Sequence, residues 1–296
     1  MLSANPTLNV DTFTNDVLSE LPFFISYKLK YTKFRMNFHS HEGYEMYFLH
    51  EGSGHYLCGE LIYPFQGNDL ILIDDRELHK AAPSPELYQR TVINFLPEFL
   101  QSSSTLKLLE MFSAAAPGEH RHLRLCETKH AAIYALLERM HEEYTARKPE
   151  FEQVLRIYLN RLLLEVYHLY ASGAAERHLI SLSSANTKIK AVIQYLSQHY
   201  AEDISLNELA KMFYLDPYYL CHLFKRTTGD TIRQYVLVTR IHHAKTYLIL
   251  TDWPISEIAK KVGFSNFSYF GLIFKRLEGM VPRAFRKKWS RSNQDA

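Results

Sequence analysis

The residues best equipped for coordination chemistry are His39, His41 and Glu45, in the run His39-Ser-His41-Glu-Gly-Tyr-Glu45, followed by Gly52 and, further on, His79. Side chains alternate along a strand, so His39 and His41 should point to one face, and a bulge near Gly43 would bring Glu45 round to them. Three imidazoles and one carboxylate oxygen suit a divalent metal. The same groups would equally serve a metal-free pocket for an organic effector, or hydrogen-bond to one another inside a core. Arg35, Tyr47, His55 and Tyr56 enrich the segment in hydrogen-bonding and stacking groups, which suits a polyhydroxylated or carboxylated ligand such as a sugar.

A second kind of chemistry is written twice near the C-terminus. Leu209-Ala-Lys211 matches Ile258-Ala-Lys260 at an offset of 49, and Phe224-Lys-Arg226 with Gly229 matches Phe274-Lys-Arg276 with Gly279 at an offset of 50. Each copy reads as a short helix, a turn and a helix of about three turns. Asp216 suits an N-cap with Pro217 at the first helical position, and Ser265 suits the second cap. Leu220, Leu223 and Phe224 fall on one helical stripe and should face inward. Tyr218, Tyr219, His222, Lys225 and Arg226 are left to solvent, the face a recognition helix offers to a major groove. A plain helical bundle could carry one such pattern, but the repeated Phe-Lys-Arg and Gly punctuation favours a DNA-binding unit.

The phrase Ile255-Ser-Glu-Ile-Ala-Lys-Lys-Val-Gly-Phe-Ser-Asn-Phe-Ser-Tyr-Phe, followed by Phe274-Lys-Arg, Gly279, Pro282 and Phe285-Arg286, resembles the second motif of the AraC-type transcriptional regulators. The resemblance implies promoter-DNA binding through both motifs, with Tyr218, Cys221 and His222 in the first recognition helix and Asn266, Ser268 and Tyr269 in the second reading bases. Lys225, Arg226, Lys275, Arg276, Arg283 and Arg286, with Lys287 and Lys288, are the expected phosphate contacts. Neither helix offers Arg or Lys in its N-terminal half, so bidentate guanine reading is absent and an A·T-rich site is expected. The His-x-His-x3-Glu-x6-Gly run resembles the first motif of the cupin barrels. The second cupin motif is incomplete: Pro64 and Gly67 fit its turn, but Ala82, Pro83 and Ser84 stand where an Asn is expected. In regulators of this type the barrel usually holds a small molecule, often a sugar, without catalysis. The expected ligand residues are Arg35, His39, His41, Glu45, Tyr47, His55 and His79, with no catalytic residue and no cofactor. A divalent metal on His39, His41, Glu45 and His79 is the alternative. Rival readings are a metal-dependent cupin enzyme, such as a dioxygenase or isomerase, fused to a DNA-binding domain, and a ligand-independent regulator.

These groups need a multi-domain frame. The chain has 296 residues, 47% of them apolar, enough for two packed cores. Residues 187–296 hold 17 Lys+Arg against 9 Asp+Glu, a net of +8, while residues 1–186 hold 17 against 23, a net of −6. The basic excess therefore lies with the repeats, as phosphate binding requires. Short apolar runs broken by glycines over residues 22–95 predict strands of a sandwich or small barrel. From Leu106 the period becomes helical, with Ile133, Leu137, Met140 and Tyr144 on one stripe and Leu155, Leu159, Leu162, Val166 and Leu169 on another. This hairpin either caps the barrel or pairs with a second subunit, and a homodimer is expected. The division predicted is a cupin-like β-barrel with a helical hairpin over 1–175, a linker over 176–186, and an all-α domain with two helix-turn-helix motifs over 187–296. Cys58, Cys126 and Cys221 are odd in number and widely spaced, reading as reduced thiols. With no signal peptide and no apolar run of spanning length, the expectation is a cytoplasmic activator that meets double-stranded promoter DNA, a small-molecule effector and RNA polymerase, and no membrane.

Overall fold

Alternating apolar residues build two facing sheets in the N-terminal half of the chain. The structure, a computed structural model, describes residues 10–31, 36–84, 87–100, 106–113, 121–125, 127–172 and 184–290. A helix α1 (Val10–Glu20) precedes β1 (Phe23–Tyr31), β2 (Tyr44–Glu51), β3 (Ser53–Cys58), β4 (Leu61–Gln66), β5 (Asp69–Ile73), β6 (His79–Pro83), β7 (Tyr88–Phe95) and β8 (His122–Arg124). The larger sheet has the order β1-β7-β2-β5-β8 and the smaller β4-β3-β6. Among the described residues the two sheets do not close into one hydrogen-bonded barrel. They share an inner core of Tyr47, Leu49, Ile71, Ile73 and Val92 from one side and Tyr56, Cys58, Phe65 and Ala81 from the other.

Period-two alternation sends the intervening residues outward. Met46, Phe48, Leu70, Leu72, Ile93 and Phe95 leave the back of the larger sheet and bury against the helical hairpin α2 (Glu127–Ala146) and α3 (Phe151–Ser172). The predicted stripes Ile133, Leu137, Met140 and Leu155, Leu159, Leu162, Val166, Leu169 are buried there, so they are spent on capping the sheet. On the opposite side Leu57 and Ile62, with Phe38 and Leu78, form one core with Ile189, Val192, Leu209, Leu220 and Phe224 of the C-terminal helices. Burying side chains of this size contributes about 1.5–3 kcal/mol each, which holds the two halves together.

The C-terminal half is helical: α4 (Ser184–Gln198), α5 (Leu206–Met212), α6 (Pro217–Thr228), α7 (Ile232–Leu250), α8 (Ile255–Lys261), α9 (Phe267–Glu278) and α10 (Pro282–Ser290). Of the predicted linker, residues 176–183 lie outside the described residues, and 184–186 already belong to α4. The extra residue of the second repeat sits in the turn, since four residues separate α5 from α6 and five separate α8 from α9. Asp216 caps α6, accepting from the Tyr218 and Tyr219 amides at 2.9 and 3.0 Å. In the second copy the cap is Asn266, which accepts from Tyr269 N at 2.9 Å, and not Ser265 as expected. A capping side chain reaches the amides two or three residues on, and Ser265 lies four residues before Tyr269.

Each turn contains one left-handed residue, Tyr214 (φ 52°) in the first and Gly263 (φ 89°) in the second. Tyr214 is 91% exposed, whereas a Cβ on Gly263 would stand 2.4 Å from the Ala201 carbonyl oxygen. Gly263→Ala is therefore expected to cost about 1–3 kcal/mol, and Tyr214→Gly to cost nothing, as read from urea midpoints. Equal midpoints for Gly263→Ala and the parent would contradict the close packing of that turn.

Candidate functional site

The chain between Met36 and Gly43 is not the regular strand expected. His39 instead forms a single antiparallel bridge with His79, donating N–H to the His79 carbonyl at 3.1 Å and accepting from His79 N at 2.9 Å. Gly43, with φ 79°, turns the chain into β2 in place of a bulge; a side chain there would run into Phe95 O. The outcome is nevertheless the convergence that the spacing suggested. His39, His41, Glu45 and His79 are all buried, and one ligand atom from each lies within 4.8 Å of the others.

The three imidazoles are oriented alike. Nδ1 faces a backbone carbonyl in each: Asn37 O at 3.1 Å for His39, Glu42 O at 3.1 Å for His41, and Glu77 O at 2.7 Å for His79. In the neutral form such a contact favours the proton on Nδ1, which leaves the Nε2 lone pair facing the cluster. Glu45 Oε2 lies 2.9 Å from His41 Nε2 and 3.7 Å from His79 Nε2. The carboxylate is fixed from behind by the Tyr56 hydroxyl, which donates to Oε1 at 3.1 Å, and by the Asn94 amide, which donates to Oε2 at 2.9 Å. Burial disfavours the Glu45 charge, but His79 and His41 outweigh it and hold its pKa well below the usual carboxylate range. Burial and the neighbouring His79 and His41 push the pKa of His39 well down. For His79, burial is outweighed by the Glu45 charge, and the pKa rises.

The other expected ligand residues do not join this cluster. Tyr47 is buried in the inner core with its hydroxyl against that of Tyr88, and its ring packs on Tyr56 at 4.8 Å. His55 points away and lines an open cleft of about 470 Å³ with Ser53, Gln66, Ser84 and Arg124. Arg35, like Cys126, lies outside the described residues.

On the helical side, Leu220, Leu223 and Phe224 are buried, and Tyr218, Tyr219, Cys221, His222, Lys225 and Arg226 are exposed. The second copy repeats the division: Phe270, Ile273 and Phe274 are buried, while Asn266, Ser268, Tyr269, Lys275 and Arg276 are exposed. Both helices end on a left-handed glycine, Gly229 and Gly279, with their Lys-Arg pair in the last turn. Between them α7, opened by a Thr231–Gln234 capping box, has 19 residues and spans roughly 28 Å at 1.5 Å per residue. Arg283 is exposed, but Arg286 donates to Leu248 O at 3.3 Å and Trp253 O at 2.7 Å. Arg286 therefore ties α10 to the start of the second motif, a role its charge alone did not suggest.

Comparison with known proteins bears on both halves. A family model described as an AraC-like ligand binding domain matches residues 24–177, more than half of the chain, and one described as a helix-turn-helix domain matches residues 209–288. The chain belongs to the AraC family. Among AraC-type relatives it is 26% identical to the HTH-type transcriptional activator RhaR of Salmonella dublin, over 84% of this chain and 86% of that protein. It is 34% identical to the regulatory protein PocR of Salmonella typhimurium over 35% of this chain and 34% of PocR. It is also 34% identical to the bifunctional transcriptional activator/DNA repair enzyme AdaA of Bacillus subtilis, over 33% of this chain and 47% of AdaA. The chain thus spans a third to a half of the length of the last two.

Two residues of the AraC-type sensing half were missed as site residues. Asn94 supplies the amide that the sequence lacks after His79; it stands directly opposite Glu45 in the β2–β7 register. Tyr56, noted only for its chemistry, proves to be the second clamp on the carboxylate. Asn94 left no local signal, because its role depends on which strands pair. Among the described residues no helix is long and apolar enough to cross a membrane.

Proposed function

We propose that this chain is a ligand-responsive regulator that binds double-stranded promoter DNA through α6 and α9 and senses a small molecule in its N-terminal sheets. The observation that carries the reading is the repeated division of the two recognition helices, apolar inward and Lys-Arg-ended outward, joined by one rigid helix. A spacer of roughly 28 Å suits two helices entering successive major grooves, about 34 Å apart, on one face of a duplex. The Ser53, Gln66, Ser84 and Arg124 groups around the His55 cleft suit a sugar-sized polar ligand. A second copy of the chain is the partner expected for α3, on which Ile157, Leu164 and Tyr167 stay exposed away from the sheet. RNA polymerase is the further partner this reading gives an activator, and a cytoplasmic, non-catalytic role belongs to the same proposal.

Selection of bound duplexes from a randomised library tests this reading, and enrichment of one A·T-rich motif is the expected result. His222→Ala should then relax preference at one position by about 1–3 kcal/mol and leave affinity for random duplex unchanged. Recovery of no preferred sequence by the parent chain would sink the proposal.

A further inference from the structure

The inner-face cluster keeps one buried nitrogen that hydrogen bonding within it does not satisfy. Each imidazole sets its Nδ1 against a backbone carbonyl, so the three Nε2 atoms turn towards the Glu45 carboxylate, and the Asn94 amide reaches only His41 Nε2, at 3.2 Å, and Glu45 Oε2, at 2.9 Å. His41 Nε2 and Glu45 Oε2 stand 2.9 Å apart. His79 Nε2 is buried without a hydrogen-bond partner, with Glu45 Oε2 3.7 Å away. Buried polar atoms are nearly always satisfied, and a buried imidazole nitrogen facing a carboxylate and two further imidazoles suits a cation between them. The outer shell is already in place: carbonyls orient the rings, and Tyr56 and Asn94 orient the carboxylate, as supporting groups do around metal ligands.

We propose that His39, His41, Glu45 and His79 hold a divalent transition-metal ion, and that the ion tightens the seat of the DNA-binding helices on the sheets. Imidazole nitrogens with a single carboxylate select zinc, nickel, iron(II) or manganese, whereas calcium and magnesium take oxygen ligands. The ligand atoms lie within 4.8 Å of one another, against about 3.4 Å between ligands of a tetrahedral ion with bonds of about 2.1 Å. An inward movement of the ligands by about an ångström closes the site.

The second half of the proposal, which rests on the regulator reading, follows from the residues beside the ligands. The residues next to the ligands face outward and touch the helices. Ser40, between His39 and His41, meets His242 Nδ1 at 3.3 Å and Lys245 Nζ at 3.2 Å on α7. Lys80, next to His79, pairs with Asp230 just beyond α6. Drawing His39, His41 and His79 together therefore pulls on the two segments that grip the spacer helix and the end of the first recognition helix. Lys245 passes the contact on to Glu278, the last residue of α9, at 3.1 Å.

The test uses the full chain, stripped with a chelator and dialysed, then titrated with Zn2+. One equivalent per chain is expected by elemental analysis, and His79→Ala, His39→Ala and Glu45→Gln should each weaken binding by about a hundredfold or more, with unchanged circular dichroism in at least one. The chain's two tryptophans, Trp253 and Trp289, both belong to the helical half, and Trp289 lines a small cleft with Ser40 and His41. Their emission should change and saturate at one equivalent. Substoichiometric metal, or equal binding by well-folded variants, overturns the site. Full occupancy without a change in emission overturns the transmission to the helices. Library binding by the metal-free chain, run in parallel, reports on the regulator reading alone: its loss would sink that reading and leave the metal stoichiometry standing.

Discussion

Asp230→Ala is expected to lower stability by about 3–5 kcal/mol, far more than a typical loop substitution, because it strands a buried ammonium. The Lys80 side chain is 5% exposed and that of Asp230 17%. Burial pulls the Lys80 pKa down, and the Asp230 charge pushes it back towards normal. Apart from Asp230 its cationic end meets the Phe38 ring, 5.3 Å away, which is a weak substitute for a carboxylate. Asp230 is itself rigidly placed, between the left-handed Gly229 that ends α6 and the Thr231 that caps α7, with the Thr228 hydroxyl bonded to its backbone at 3.2 Å. Lys80→Met should cost less, because the carboxylate left behind reaches water more easily. The double change Lys80→Met with Asp230→Leu should recover most of the loss, since well-packed apolar pairs replace buried ion pairs at little cost. Urea unfolding followed by tryptophan emission distinguishes the three. A midpoint for Asp230→Ala equal to that of the parent would show that Lys80 finds water and that the two halves separate freely.

How far the sequence could be read divides along the range of the interactions involved. The helix pairs were legible because their signals are local: Asp216 before Pro217, glycines three residues after each Lys-Arg pair, and inward residues at helical spacing. The error at Ser265 is of the same local kind, one residue along the chain. The His39, His41 and Glu45 run was legible as chemistry, though its backbone was not, since a bridge to His79 and the left-handed Gly43 replace the regular strand. Asn94 was invisible because it reaches Glu45 only through the β2–β7 register, 49 residues away in sequence. The grip of Lys80 on Asp230 spans 150 residues, and that of Ser40 on Lys245 spans 205. The apolar stripes of the helical hairpin were legible from their spacing, and the back of the larger sheet buries them. Arg286 was read by its charge, and the open carbonyls of Leu248 and Trp253 that claim it belong to a neighbouring turn.

Removing the four cations at the ends of the recognition helices should have the largest effect on DNA binding. Lys225, Arg226, Lys275 and Arg276 are exposed in the last turns of α6 and α9, where a helix leaves the groove and meets the phosphates. Each phosphate neutralised releases close to one counterion, so changing all four to alanine should flatten the slope of log affinity against log salt by about 3–4 units. At physiological salt that corresponds to a loss of roughly a thousandfold, shared by selected and random duplexes alike. Fold stability should hardly change, because these side chains leave the buried stripe of Leu223, Phe224, Ile273 and Phe274 untouched. Arg286→Ala supplies the contrast: it frees two carbonyls and should lower the unfolding midpoint while altering the slope by less than about one unit. The two pairwise variants then decide whether both motifs touch DNA. Lys225→Ala with Arg226→Ala, and Lys275→Ala with Arg276→Ala, should each remove about half of the slope. If one pair removes nearly all of it and the other none, a single helix engages the duplex, and the spacing set by α7 serves packing rather than recognition.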